Sequence, residues 1–167
     1  MDVSEQEAKL KLRLAQLEKH ERCQEDFLIF VKNMWPDFIA GRHHKIIAEK
    51  LERVARGELK RLIINMAPRH TKSEFASFLF PAWMMGKNPK MKIIQATHTT
   101  ELAVNFGRKT KNLIDSDDYK DIFPSVNLSA DSKASGRWDT TSGGMYYAVG
   151  VGSNLAGRGG DLVIIDD

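Results

Sequence analysis

The sequence holds a single cysteine, Cys23, which excludes an internal disulfide and makes a reducing compartment the expectation. Apolar runs such as Phe27 to Val31 fall far short of the roughly 20 residues that cross a bilayer. A secretory leader is not expected either, because Met1-Asp2-Val3-Ser4-Glu5 carries acid where a signal peptide carries base. Together these absences predict a cytoplasmic protein with no membrane partner. Charge of one sign is also lacking. The 25 Lys+Arg residues against 22 Asp+Glu leave a net charge of +3 and a pI near 9.0, which permits a nucleic-acid partner without arguing for one. His20, His43, His44, His70 and His98 do not fall at zinc-ligand spacing, and adjacent His43 and His44 are expected to point apart on a helix, so no structural zinc is predicted.

What is present is an ordinary globular composition over 167 residues, 42% hydrophobic and 28% charged, of single-domain size. Residues 5 to about 33 read as one helix with Leu10, Leu14 and Leu17 at helical spacing, ended by Trp35-Pro36. That stripe suits either docking on the body or a partner contact. A second helix spans about His43 to Arg56, with Ile46, Ile47, Leu51 and Val54 on one side and Gly57 as its stop. Arg61 to Met66 reads as a buried strand, Ser73 to Met85 as a helix, Met91 to Thr97 as a strand and Thr100 or Glu101 to Asp115 as a helix. Asp117 to Ser135 is polar and turn-rich. Trp138 to Thr140 and Met145 to Val149 flank Ser142-Gly143-Gly144 as a hairpin, and Leu162 to Ile165 is an apolar strand. Alternating strands and helices predict an α/β fold with a largely parallel sheet. The expected organisation is an N-terminal helical segment over 1–40 and an α/β domain over 41–167.

Between the first expected strand and its helix lies Met66-Ala67-Pro68-Arg69-His70-Thr71-Lys72-Ser73. A phosphate loop needs backbone N–H groups turned on an anion, a lysine for the β/γ-phosphates and a hydroxyl for Mg²⁺. Lys72 and Ser73 stand where those side chains belong, at the positive end of a helix. Met66 and Thr71, however, occupy the two glycine positions of G-x-x-x-x-G-K-[ST]. Arg69 adds a second cation. The plainer alternative is a turn in which Ser73 caps a helix.

Asp166-Asp167 closes the apolar strand. One carboxylate there could hold Mg²⁺ and the other could orient or deprotonate a water, unless both merely end a strand in solvent. Seven of the twelve glycines lie between Gly143 and Gly160, and Arg158 sits among them as a mobile cation. It reads either as a solvated loop charge or as an arginine finger acting on a neighbour's nucleotide.

The combination of Ile63-Ile64-Asn65-Met66-Ala67-Pro68-Arg69-His70-Thr71-Lys72-Ser73-Glu74 with Gly157-Arg158-Gly159-Gly160-Asp161-Leu162-Val163-Ile164-Ile165-Asp166-Asp167 resembles the large subunit of tailed-bacteriophage terminases. The resemblance extends to Trp35-Pro36-Asp37-Phe38, His43-His44-Lys45, Gln95-Ala96-Thr97-His98-Thr99 and Gly136-Arg137-Trp138. It implies a P-loop NTPase of the RecA/ASCE type, incomplete at the C-terminus, whose intact form pumps DNA into procapsids in the host cytoplasm. It implies ATP and Mg²⁺ as cofactors, with Pro68, Arg69, His70, Thr71, Lys72 and Ser73 around the nucleotide. Ser73 and Asp166 would bind the metal. Asp167, Arg158 and Arg69 would take the catalytic roles, Asp167 as a shorter stand-in for the family's usual glutamate. Adenine-side contacts tend to lie around Trp35 to His44. Implied partners are double-stranded viral DNA, the portal, the small terminase subunit and further copies in a homo-oligomeric ring. The family's coupling motif after the strand that ends in Asp166-Asp167, the last strands of its motor sheet and its nuclease domain are absent from this sequence, so no DNA cleavage is expected of this chain.

Two other readings stand beside it. One is a helicase-like ATPase, with Gln95 to Thr99 coupling nucleotide state to a nucleic-acid strand. The other is a non-catalytic fragment that binds a partner through helix 5–33. The basic clusters Lys87 to Lys92 and Arg108 to Lys111 lack interleaved aromatics and read first as solvated faces.

Overall fold

The computed structural model of the chain describes residues 3–132, 134–153 and 157–166. Helices α1 (Val3–Glu25), α2 (Phe27–Met34) and α3 (Arg42–Ala55) come first. A π-helical turn over Glu74–Leu79 then runs into α4 (Phe80–Lys87). Strand β1 (Lys92–Thr97), helices α5 (Thr100–Asp115) and α6 (Asp117–Ile122), and strands β2 (Arg137–Asp139), β3 (Met145–Gly150) and β4 (Leu162–Asp166) complete the order. The fold is α/β, with a four-stranded sheet ordered β2-β3-β1-β4. β1 pairs parallel with both β3 and β4, and the β2–β3 hairpin is antiparallel. Gly143, at φ 91°, makes the hairpin turn in a conformation that other residues rarely adopt. No helix among the described residues is long and apolar enough to cross a membrane.

The single N-terminal helix expected from the sequence is two. Asp26 adopts extended backbone and its carboxylate accepts the N–H of Ile29 at 2.8 Å, so its preference for capping outweighs helical continuity. The N–H of Phe27 is met from outside, by Glu52 Oε1 of α3 at 2.9 Å. Burial raises the Glu52 carboxyl above its ordinary range, and this hydrogen bond partly opposes the rise. Beyond the break Phe27, Phe30 and Val31 are fully buried. Phe27 packs on Phe75, Phe80 and Trp83 with ring centroids 5.4 to 5.7 Å apart. The core is therefore continuous across residue 40. Before the break α1 is mostly solvated, with Leu10 71% exposed and Leu12, Leu14 and Leu17 at least half exposed. Cys23, at its end, is fully buried, and desolvation raises its thiol pKa.

Two further expectations change. Arg61 to Met66 pairs with no strand among the described residues, although its burial alternates as extended chain does. Leu62, Ile64 and Met66 pack on the core while Ile63 is 85% exposed. The polar tract after Asp117 contains α6, capped by Ser116 Oγ, which accepts the N–H of Tyr119 at 3.4 Å. The expected helix from Ser73 exists, but its first turns are wide. Pro81 lacks an N–H and its ring would press on the carbonyl four residues back, and the π turn ahead of it relieves both problems.

Parallel pairing puts opposed residues on one face. Ile93, Gln95 and Thr97 thus share a face with Tyr146 and Ala148 and with Leu162, Ile164 and Asp166. Helix α5 covers it closely: Trp138 Nε1 donates to Gly107 O at 3.2 Å, and a Cβ on Gly107 would come within 2.5 Å of Ser135 O. On the opposite face Val163 and Ile165 of β4 are exposed, Ile165 by 78%.

Replacing Asp26 by Ala is expected to cost about 1 kcal/mol in urea unfolding, the usual loss for a helix cap. Leu14→Ala, on the solvated part of α1, is expected to stay within about 0.5 kcal/mol of the parent. Equal effects of the two would contradict this account of the break.

Candidate functional site

Open α/β sheets bind ligands at the carboxyl ends of their strands, where β4 delivers Asp166. Asp166 is only 8% exposed. Ser77 Oγ donates to its Oδ2 at 2.8 Å, and Lys72 Nζ lies 3.6 Å from its Oδ1. Both partners come from the start of the helix that follows the 66–73 loop. Two segments far apart in sequence therefore meet through a buried carboxylate, a hydroxyl and an ammonium. Asp167 lies outside the described residues, as do residues 154–156 of the glycine-rich loop.

The loop itself has an unusual backbone. Arg69 and Thr71 have φ of 63° and 61°, the left-handed region that glycine adopts freely. For a β-branched threonine such a conformation costs on the order of 1–3 kcal/mol. Thr71 stands where a glycine-based phosphate loop has its second glycine, and its backbone takes the shape that glycine would allow. The carbonyl of Thr71 accepts the N–H of Phe75 at 3.0 Å, which starts the helix. His70 Nδ1 donates to Pro68 O at 2.9 Å. Ser73 makes no capping hydrogen bond, so the capping alternative finds no support. Residues 66–74 line an open hollow of about 600 Å³, and Lys72, 30% exposed, forms part of its wall. Lys109 of α5 braces the same turn through Glu74 at 2.8 Å. Another hollow, of about 630 Å³, lies against Lys9, Leu10 and Arg13 of α1, remote in character from this constellation.

His44, which the sequence offers only at the edge of a range of adenine-side contacts, instead reaches the loop. Its Nδ1 accepts the N–H of Gly41 at 2.9 Å, and its Nε2 lies 2.6 Å from Thr71 Oγ1. By turning back to Gly41 its ring comes alongside His43, with centroids 3.8 Å apart, rather than pointing away from it. Desolvation, then the neighbouring His43 and His70, lower its pKa below the ordinary 6.5. Ser77 was missed by the sequence reasoning; its i+4 spacing from Ser73 is legible, but the wide turn that brings it beside Lys72 is not.

The remaining candidates are dispersed. Arg158 lies over the Tyr147 ring at 4.2 Å from its centroid, on the face opposite Asp166. Gln95 is fully buried in β1 on the Asp166 face, and neither of its amide atoms has a partner among the described residues. The basic clusters are locally engaged: Lys87 donates to Gln24 O, Arg108 to Asn105 and Lys111 to Ser132 O. Among the described residues no group of three His, Cys, Asp or Glu side chains is placed to hold a metal.

No family model, curated protein or solved structure matches the chain.

Ser77→Ala removes a neutral donor from a buried carboxylate and is expected to cost about 1.5–3 kcal/mol by urea unfolding. A loss under about 0.5 kcal/mol would show that Asp166 does not depend on that bond. Because His44 is held below its unfolded pKa, its contribution is complete above 6.5 and is lost as pH falls from there through the folded value. Stability of the parent should therefore drop across that acidic window, and His44→Gln should flatten the drop.

Proposed function

We propose that residues 66–73 and Asp166 form the nucleotide site of a P-loop ATPase, and that the chain is the motor portion of a terminase large subunit driving double-stranded viral DNA into procapsids. The observation that carries the reading is the meeting of Lys72 with Asp166 beside a loop of glycine-like shape. An ammonium, a free hydroxyl at Ser73 and a carboxylate at a strand end are the groups that Mg²⁺-ATP requires. The hollow over residues 66–74 gives the phosphates room, so the residues present fit the cofactor.

In this reading Lys72 and Arg69 hold phosphate oxygens, with the backbone of Pro68, His70 and Thr71 shaping the cradle. Ser73 and Asp166 would hold Mg²⁺, and Asp167 would be the group to orient an attacking water or take its proton. Bound ATP and Mg²⁺ supply the reactive phosphoryl group and most of its charge neutralisation. The ion pair with Lys72 compensates the charge of the buried Asp166 carboxylate. A phosphate and a metal would replace each as the other's partner. Arg158 would act in trans on a neighbouring copy, which fits its place on the far face of the sheet. Motor arginine fingers contribute on the order of 10³–10⁵ in rate, so a monomer should bind ATP better than it hydrolyses it. The DNA, portal and small-subunit partners rest on the sequence resemblance.

One observation favours a second reading, partner binding through α1, because its leucines at 10, 12, 14 and 17 are exposed. A concentration-dependent assembly in sedimentation, abolished by replacing the exposed Leu10, Leu14 and Leu17 with Ser while the core residues Cys23, Phe27 and Phe30 stay in place, would support it. A strict monomer would remove it.

Titration with Mg²⁺-ATP is expected to show binding that Lys72→Ala weakens by roughly 10- to 100-fold, the worth of one charge-assisted contact. Asp166→Asn should lose the dependence on Mg²⁺. No binding by the parent, or binding indifferent to Lys72→Ala, would defeat the proposal.

A further inference from the structure

The left-handed conformation of Thr71 needs an explanation, because the residue has no intrinsic reason to adopt it. The explanation lies in a chain of hydrogen bonds whose proton positions are fixed by its first member. Gly41 N–H donates to His44 Nδ1, so the neutral ring carries its proton on Nε2. Nε2–H therefore donates to Thr71 Oγ1 at 2.6 Å, and the hydroxyl in turn donates to His70 O at 2.6 Å. Each donor meets one acceptor, and no member can reverse while Gly41 holds the start.

The ring is also fixed mechanically. His44 is 7% exposed, lies nearly parallel to Phe75 at 5.1 Å and meets the edge of Phe38 at 4.7 Å. Phe75 belongs to the π turn, and its N–H bonds Thr71 O. Thr71 is thus gripped at its hydroxyl by His44 and at its carbonyl by the residue on which His44 rests.

We propose that His44 is a positioning residue for the phosphate loop, holding Thr71 by its hydroxyl in the backbone shape that a glycine would take unaided. This rests on the nucleotide-site reading for its functional consequence, though not for its structural one. The threonine's side chain, a liability for φ, becomes the handle by which a distant helix sets the loop. Lys72, the next residue, inherits its direction from that hold. His44 touches no phosphate in this scheme.

The two ring nitrogens can be replaced one at a time. Asparagine offers an acceptor near Nδ1 but cannot reach Thr71, whereas glutamine offers an N–H near Nε2. His44→Asn is expected to weaken Mg²⁺-ATP binding about tenfold, the equivalent of losing the hold on one strained residue. His44→Gln should recover most of that loss. Thr71→Val, which leaves the packing of the His44 ring in place, should reproduce the loss. Adding Thr71→Gly to His44→Asn should restore affinity, because glycine needs no hold. A structural role for His44 in α3 alone would predict no rescue by a glycine in the loop.

Amide exchange of Phe75 in the nucleotide-free chain gives a readout that does not need ATP. It should rise about tenfold in His44→Asn and in Thr71→Val and remain slow in His44→Gln. Unchanged Phe75 exchange and unchanged affinity in His44→Asn and Thr71→Val would overturn the inference. If the parent binds no ATP, the nucleotide reading fails while Phe75 exchange still decides whether His44 holds the loop.

Discussion

The buried carboxylate of Asp166, at the end of β4, sets the terms for the structure around it. Asp166 loses most of its hydration and must be repaid by hydrogen bonds and opposite charge. Ser77 and Lys72 supply these from one helix start. In a regular α-helix, residues five apart are turned by about 140° from each other and would not both face one oxygen pair. The wide π turn from Glu74 brings Ser77 back toward the side of Lys72. That turn is in its place because Pro81 follows it. A proline in α4, a serine and a lysine are therefore coupled, through backbone geometry, to an acid on the last strand.

The sequence made much of this legible, for reasons that differ by element. Strands β1, β3 and β4 are short, β-branched or apolar, and bounded by glycine or turn residues, so their existence and nearly their limits could be read. Helices α3 and α5 carry strong one-sided periodicity. Lys72 and Asp166 were legible as residue types but not as a pair, since nothing in a linear pattern gives their 3.6 Å approach. What stayed hidden depends on local competition or on distant packing. Asp26 looks like one more acid in a charged helix, and only its capping bond divides that helix in two. Arg61 to Met66 has the composition of a strand, but composition does not provide a neighbour for its edge.

The glycine positions of the loop show how a motif and its physics can part. A regular expression tests for residues, whereas an anion tests for a backbone shape. Thr71 is not a glycine, yet at φ 61° its backbone lies in the region that glycine adopts freely. Side chains from α3 supply through hydrogen bonds what glycine supplies through freedom. Such an arrangement is less forgiving than glycine, because it transmits disturbance at Gly41, His44 or Phe38 to the loop. It also makes the loop stiffer, since Thr71 loses less freedom on meeting a ligand than a glycine would.

The site is supported unevenly. On the Asp166 face, α5, the π turn and the N-terminal aromatics belong to one buried core, and Lys109 ties α5 to the turn through Glu74. On the other face Val163 and Ile165 lie open, and Ile63 of the unpaired 61–66 segment is open as well. Exposed apolar side chains on an edge strand and on an unpaired extended segment are surface that proteins ordinarily cover or blunt with charge. Asp166 thus stands at the border between a covered face and a bare one. The covered side holds Lys72 and Ser77 against the carboxylate. Whatever restricts β4 from its bare side would act on the same carboxylate through the strand's own backbone, without touching the loop.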